Sequence, residues 1–126
     1  MKKVPDPEPS YAELLGQRMT QLRAQQAALV QAIEEMRVAR SLTFADDEHD
    51  PEGSTVSLDQ ARDAALLDRT EHTLSELAAA QERWAAGTFG LCERCGRAIP
   101  AARLVARPEA RLCIRCAAPD GSRRRG

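Results

Sequence analysis

Cys92-Glu-Arg-Cys95 and Cys113-Ile-Arg-Cys116 contain all four cysteines of the chain, as two C-x-x-C pairs with 17 residues between them. That spacing reads as a tetrahedral zinc site. The two thiolates of each pair can point at one cation, and Gly96, just after the first pair, lets the backbone turn tightly around it. A four-thiolate site leaves no coordination position for water or substrate. The metal then staples a segment too short to bury a core of its own and offers no Lewis-acid chemistry.

Other uses of the cysteines fit less well. A thioredoxin-type redox pair requires a C-x-x-C at a strand-to-helix junction, and no strand pattern is present to supply one. Structural disulfides require an oxidising compartment, whereas Met1-Lys2-Lys3-Val4-Pro5 does not read as the n-region and h-region of a secretory leader. One structural Zn2+ in a reduced, cytoplasmic protein is the expected reading.

Upstream of the cysteines the composition changes. The chain has 126 residues, of which 29% are charged and only 3% aromatic, so a large globular core is not expected. Positions up to 86 are rich in Ala, Leu, Glu, Gln and Arg, which favours long helices. No apolar run reaches membrane-spanning length. The net charge of -1 conceals a division. Between Ser41 and Asp63 lie Asp46, Asp47, Glu48, Asp50, Glu52, Asp59 and Asp63 against Arg62 alone, whereas nine arginines follow Gly87 against Glu93, Glu109 and Asp120.

The pattern predicts an all-α fold: an antiparallel helical hairpin, or coiled coil, with a small C-terminal four-cysteine zinc finger. Residues 1–9, with Pro5, Pro7 and Pro9, read as a disordered lead-in. Ser10 and Glu13 form a capping box, and Leu15, Met19, Leu22, Gln26, Leu29, Ile33 and Met36 follow a heptad seam to about Ala39 or Arg40. Residues 41–57, with their charge run, Pro51 and Gly53, read as an acidic tip loop. Ser57 and Gln60 then suggest a second capping box, and Leu67, Thr70, Leu74, Leu77, Gln81 and Trp84 a second seam ending at a Gly87 C-cap. The hairpin spans 10–86 and carries the finger, 87–117, beside the start of the first helix, with Phe89 and Leu91 packing it there. Ile99-Pro100 and Arg103-Leu-Val105 suggest a turn or strand. Residues 118–126 read as a basic, disordered tail. A monomeric hairpin is expected, with a dimer pairing the same seams as the alternative.

Gly87-Thr-Phe-Gly-Leu-Cys-Glu-Arg-Cys-Gly-Arg-Ala-Ile-Pro100, then Arg103-Leu, then Arg111-Leu-Cys-Ile-Arg-Cys116, closely resembles the C4-type zinc finger of the DksA/TraR family of bacterial transcription factors. The resemblance implies a regulator that binds RNA polymerase directly and has no DNA sequence specificity of its own. It further implies a coiled coil that enters the secondary channel, with acidic tip residues acting near the catalytic magnesium, in some members together with the alarmone ppGpp. The family's tip motif is Asp-x-x-Asp-x-Ala. Asp47 and Asp50 match its two acids, and Glu52 stands where alanine is expected.

Two further classes compete. Arg94, Arg97, Arg103, Arg107, Arg111 and Arg115, with the tail residues Arg123, Arg124 and Arg125, suit phosphate contacts in a nucleic-acid-binding module. Alternatively, paired seams and a zinc staple suit a dimeric adaptor. His49 and His72 are isolated surface histidines. No nucleophile–base pair, phosphate-cradling glycine loop or open metal site is found, so the chain is not read as an enzyme.

Overall fold

The computed structural model describes residues 10–46 and 52–118. Four helices follow in order: α1 Tyr11–Asp46, α2 Glu52–Ala86, α3 Ala101–Ala106 and α4 Ile114–Ala117. No strand occurs among the described residues, and the bridge between Leu91 and Ala98 is isolated. The expected turn or strand at 99–105 is instead α3, which starts directly after Pro100. Proline is tolerated where a helix begins, and Ala-Ala-Arg-Leu that follows favours helix.

α1 begins as its sequence specifies. The Ser10 amide donates to Glu13 Oε1 at 3.0 Å, and the Glu13 amide donates to Ser10 Oγ at 3.2 Å. This reciprocal pair satisfies amides that have no partner inside the helix. Ser10→Ala should cost about 1 kcal/mol, read as a lower urea midpoint with unchanged slope. An unchanged midpoint would contradict it.

The hairpin helices are longer than their seams suggested. α1 runs through Asp46 and α2 already starts at Glu52, so 41–46 and 52–57 of the expected loop are helical, and 47–51 lie outside the described residues. Ser41 to Asp46 contains no proline or glycine, and helix propagation continues where apolar periodicity has stopped. Ser57 and Gln60 therefore sit inside α2 and do not cap it.

The chain divides into two compact units, Met1–Thr20 with Ser75–Gly126, and Gln21–Leu74. In the first, Tyr11, Leu15 and Met19 of α1 and Leu77 and Ala80 of α2 are buried, together with Phe89, Ile99, Leu104 and Ala110. Burying a side chain such as Leu77 or Leu104 contributes roughly 1.5–3 kcal/mol. Tyr11, Trp84 and Phe89 form an aromatic cluster with ring centroids 5.1 to 6.3 Å apart, which packs the start of the finger on both helices as expected of Phe89. Gln81, expected on the seam, is exposed, and Ala80 takes the buried position. Trp84 then follows Ala80 at the four-residue step that keeps the seam on one face.

In the second unit Leu22 and Thr70 are buried, while Leu29, Ile33, Met36, Leu67 and Leu74 are half-buried. Two helices alone cannot enclose a seam completely, which explains the partial burial. Gln25 Nε2 donates to Thr70 Oγ1 and Gln26 Nε2 to Glu71 Oε2, both at 3.2 Å, while Arg40 Nη1 donates to Gln60 Oε1 at 2.8 Å. From Gln25 and Gln26, which meet Thr70 and Glu71, to Arg40, which meets Gln60, the α2 partner number falls by about ten, so the pair is antiparallel. No helix among the described residues is long and apolar enough to cross a membrane.

Candidate metal centre

α2 hands the chain to the finger through a glycine. Gly87 has φ of +83°, the Gly87 amide donates to the Trp84 carbonyl at 3.2 Å, and the Thr88 amide donates to the Arg83 carbonyl at 2.9 Å. These two bonds form a Schellman motif, which closes the helix and requires the left-handed residue that glycine supplies cheaply.

Each cysteine pair is fixed by its own backbone. In the first, the Cys92 amide donates to the Arg97 carbonyl at 2.8 Å and the Gly96 amide donates back to the Cys92 carbonyl at 2.9 Å. Gly96 sits at φ of +77°, the left-handed conformation that the tight turn demands. In the second, the Ala117 amide donates to the Cys113 carbonyl at 2.9 Å, setting Cys116 on α4. The Glu93 amide joins the pairs by donating to the Arg111 carbonyl at 2.9 Å, and Arg103 Nε donates to the Leu112 carbonyl at 2.9 Å.

The ligand atoms of Cys92, Cys95, Cys113 and Cys116 all lie within 4.8 Å of one another. Cys95 and Cys113 Sγ are 3.9 Å apart. A tetrahedron with zinc–sulfur bonds of about 2.3 Å has edges of about 3.8 Å, so the cluster has the size of a four-thiolate zinc site. The site brings together all four expected ligands and no carboxylate or histidine.

The thiols differ in acidity. Burial pushes Cys92 up, but amides of Cys95, Cys113 and Arg94 outweigh it and bring the thiol down to about 6. The Cys116 amide likewise lowers Cys113. Cys116 is pushed up to about 12, by burial first and then by the neighbouring sulfurs. Four thiolates crowd one another unless a dication sits among them. Zinc uptake therefore displaces the protons that the four thiols still share, with Cys116 pushed toward the protonated form and Cys92 toward the thiolate. As pH falls through about 6, Cys92 also holds its proton, so zinc affinity should fall more steeply below that point. Competition with a chromophoric chelator from about pH 8 to about pH 5 measures this slope, and one unchanged across pH 6 would contradict it.

Arg111, just before the second pair, grips α2. Its Nε donates to Glu76 Oε1 at 2.6 Å and its Nη2 to Glu76 Oε2 at 3.2 Å, while Nη1 lies 3.4 Å from Glu93 Oε2. The hydrogen bonds to Glu76, and then its charge, hold Arg111 above its ordinary value. Glu93 also lies 3.8 Å from Arg83, a guanidinium that burial lowers and Glu93 partly restores. Sequence reasoning missed this network, because Glu76 gives no signal of its partner across 35 positions.

Arg103 is thus committed within the finger, and Arg111 to Glu76 of α2 and Glu93, rather than offered to phosphate. Among the described residues, Arg94, Arg97, Arg107 and Arg115 are exposed and form no ion pair. Asp47, Asp50, Arg123, Arg124 and Arg125 lie outside the described residues, and Glu52 opens α2.

Comparison with known proteins agrees with the geometry. Residues 87–120 match the prokaryotic dksA/traR C4-type zinc finger. A stretch of 45 residues is 51% identical to an uncharacterized protein of Aquifex aeolicus (strain VF5), covering 36% of this chain and 31% of that protein, so the chain matches about a third of that relative's length. The structure of transcription factor DksA2 from Pseudomonas aeruginosa superposes with a TM-score of 0.52 at 24% identity, covering 90% of this chain and 88% of the other. At that identity the likeness concerns the fold. Cys92, Cys95, Cys113 and Cys116 are placed to hold one structural zinc ion, and the finger they build is similar to the dksA/traR C4 type.

Proposed function

We propose that the protein is a cytoplasmic transcription regulator that binds bacterial RNA polymerase directly and carries Asp47, Asp50 and Glu52 into its secondary channel to modulate initiation. The observation that carries this reading is the joining of a C4-type finger of this family to a two-helix hairpin sharing the fold of a transcription factor. The acidic run between α1 and α2 supports the role of the loop, since carboxylates on a narrow protrusion can perturb the ligand sphere of a hard cation without being permanent ligands. The zinc has no part in any chemistry. A closed four-thiolate site shapes the finger, and Arg111 ties that finger to α2. The regulator acts as a monomer, makes weak or no sequence-specific contact with DNA, and takes ppGpp as its possible co-regulator.

The test is binding of the zinc-loaded protein to bacterial core RNA polymerase, with a known secondary-channel factor as competitor. Mutually exclusive binding is expected. Asp47→Asn with Asp50→Asn should then abolish the effect on initiation while leaving binding largely intact. Failure to bind polymerase would overturn the reading, and an undiminished effect of the double variant would overturn the role of the loop.

A further inference from the structure

Between α1 and α2, within Gln21–Leu74, lies a surface recess of about 330 Å³ lined by Arg37, Arg40, Ser41 and Gln60. Every lining side chain is polar and two are permanent cations. Arg40 gives one donor to Gln60 Oε1 at 2.8 Å and, among the described residues, forms no ion pair. Because Gln60 accepts through its oxygen, its amide nitrogen remains a donor. Arg37 is held by Glu34, with Nε to Oε1 at 3.2 Å and Nη2 to Oε2 at 2.7 Å, leaving Nη1 uncommitted in that fork. The Ser41 hydroxyl adds another donor. Donors therefore outnumber acceptors around a volume close to the lower end of small-ligand sites, about 300 Å³.

We propose that this recess is an oxyanion site for the phosphate or diphosphate group of a small ligand. Guanidinium forks match phosphate oxygens in geometry and charge, and hydrogen bonds to ionised acceptors are about twice as strong as neutral ones. Helix pairing, not sequence proximity, creates the site, since Gln60 meets Arg40 across the hairpin. Glu34 acts as an internal competitor. Its carboxylate is lowered by its hydrogen bonds to Arg37 and by that charge, and it occupies the fork that an incoming phosphate would take. The inference does not depend on polymerase binding.

Titration of the zinc-loaded full chain with inorganic pyrophosphate tests it, read from the arginine Nε–H and glutamine side-chain resonances at constant ionic strength. Saturable shifts confined to Arg37, Arg40 and Gln60 are expected. Arg40→Gln should weaken binding about tenfold or more, and Glu34→Gln should tighten it severalfold by releasing Arg37. The opposite signs separate a site from loss of folding, and far-UV ellipticity with zinc content checks each variant. A nucleoside diphosphate that binds at least as tightly assigns a phosphate ester as the occupant, whereas its exclusion assigns the free anion. Shifts that chloride reproduces, or affinities unmoved by both substitutions, overturn the site.

Discussion

Removing zinc should unfold the finger and leave the two long helices standing. The finger's helices, α3 and α4, have six and four residues, too few to persist alone in water. Its buried side chains, Phe89, Ile99, Leu104 and Ala110, are few. A structural zinc ion supplies an apparent 10–16 kcal/mol in small four-ligand modules, roughly the whole stability of a domain. A strong chelator, or Cys113→Ser, should therefore collapse the amide dispersion of residues 92–116 while most far-UV helicity survives, since α1 and α2 have 36 and 35 residues. Finger amides that stay dispersed after zinc is shown absent by elemental assay would refute this.

Phe89→Ala should lower stability by about 3–5 kcal/mol, the range for emptying a buried aromatic site. Phe89 lies 5.1 Å from the Tyr11 ring and 5.5 Å from that of Trp84, so one side chain joins α1, α2 and the chain entering the finger. Its truncation removes both contacts and leaves a space that rigid rings close poorly. Trp84→Ala should cost less despite the larger side chain, because Trp84 is already 37% exposed against 8% for Phe89. Urea melts followed by far-UV ellipticity give the comparison. A Trp84 variant that proves the weaker of the two would reverse the assigned order.

Much of this was readable in the sequence, for identifiable reasons. Ser10 with Glu13 and Gly87 mark helix ends by local hydrogen-bonding chemistry, which the neighbouring backbone suffices to satisfy. The four cysteines announce their cluster because two C-x-x-C pairs at that spacing suit a tetrahedral metal site better than a redox pair or disulfides. Signals that need a partner were poorly read. Apolar periodicity stops at Met36, but a helix ends at a breaker rather than at the loss of a seam, so α1 reached Asp46. Tyr11 lies four residues before the seam's first leucine, Leu15, and became visible as core only once Trp84 and Phe89 faced it. Arg103 and Arg111 looked like phosphate ligands until their acceptors, the Leu112 carbonyl in the finger and Glu76 on α2, were known.

Thr70 is buried in an otherwise largely apolar seam, and the hydrogen bond it accepts from Gln25, an exposed residue beside that seam, makes the helix pair sensitive to sliding. Leucines and alanines tolerate several alignments, since one methyl surface replaces another. A slip of one heptad would set Thr70 opposite Ala32, whose side chain can return no hydrogen bond to the displaced hydroxyl. The polar rung thus acts as an index mark along a ladder of interchangeable apolar steps, and it determines which residues of α1 stand level with which residues of α2.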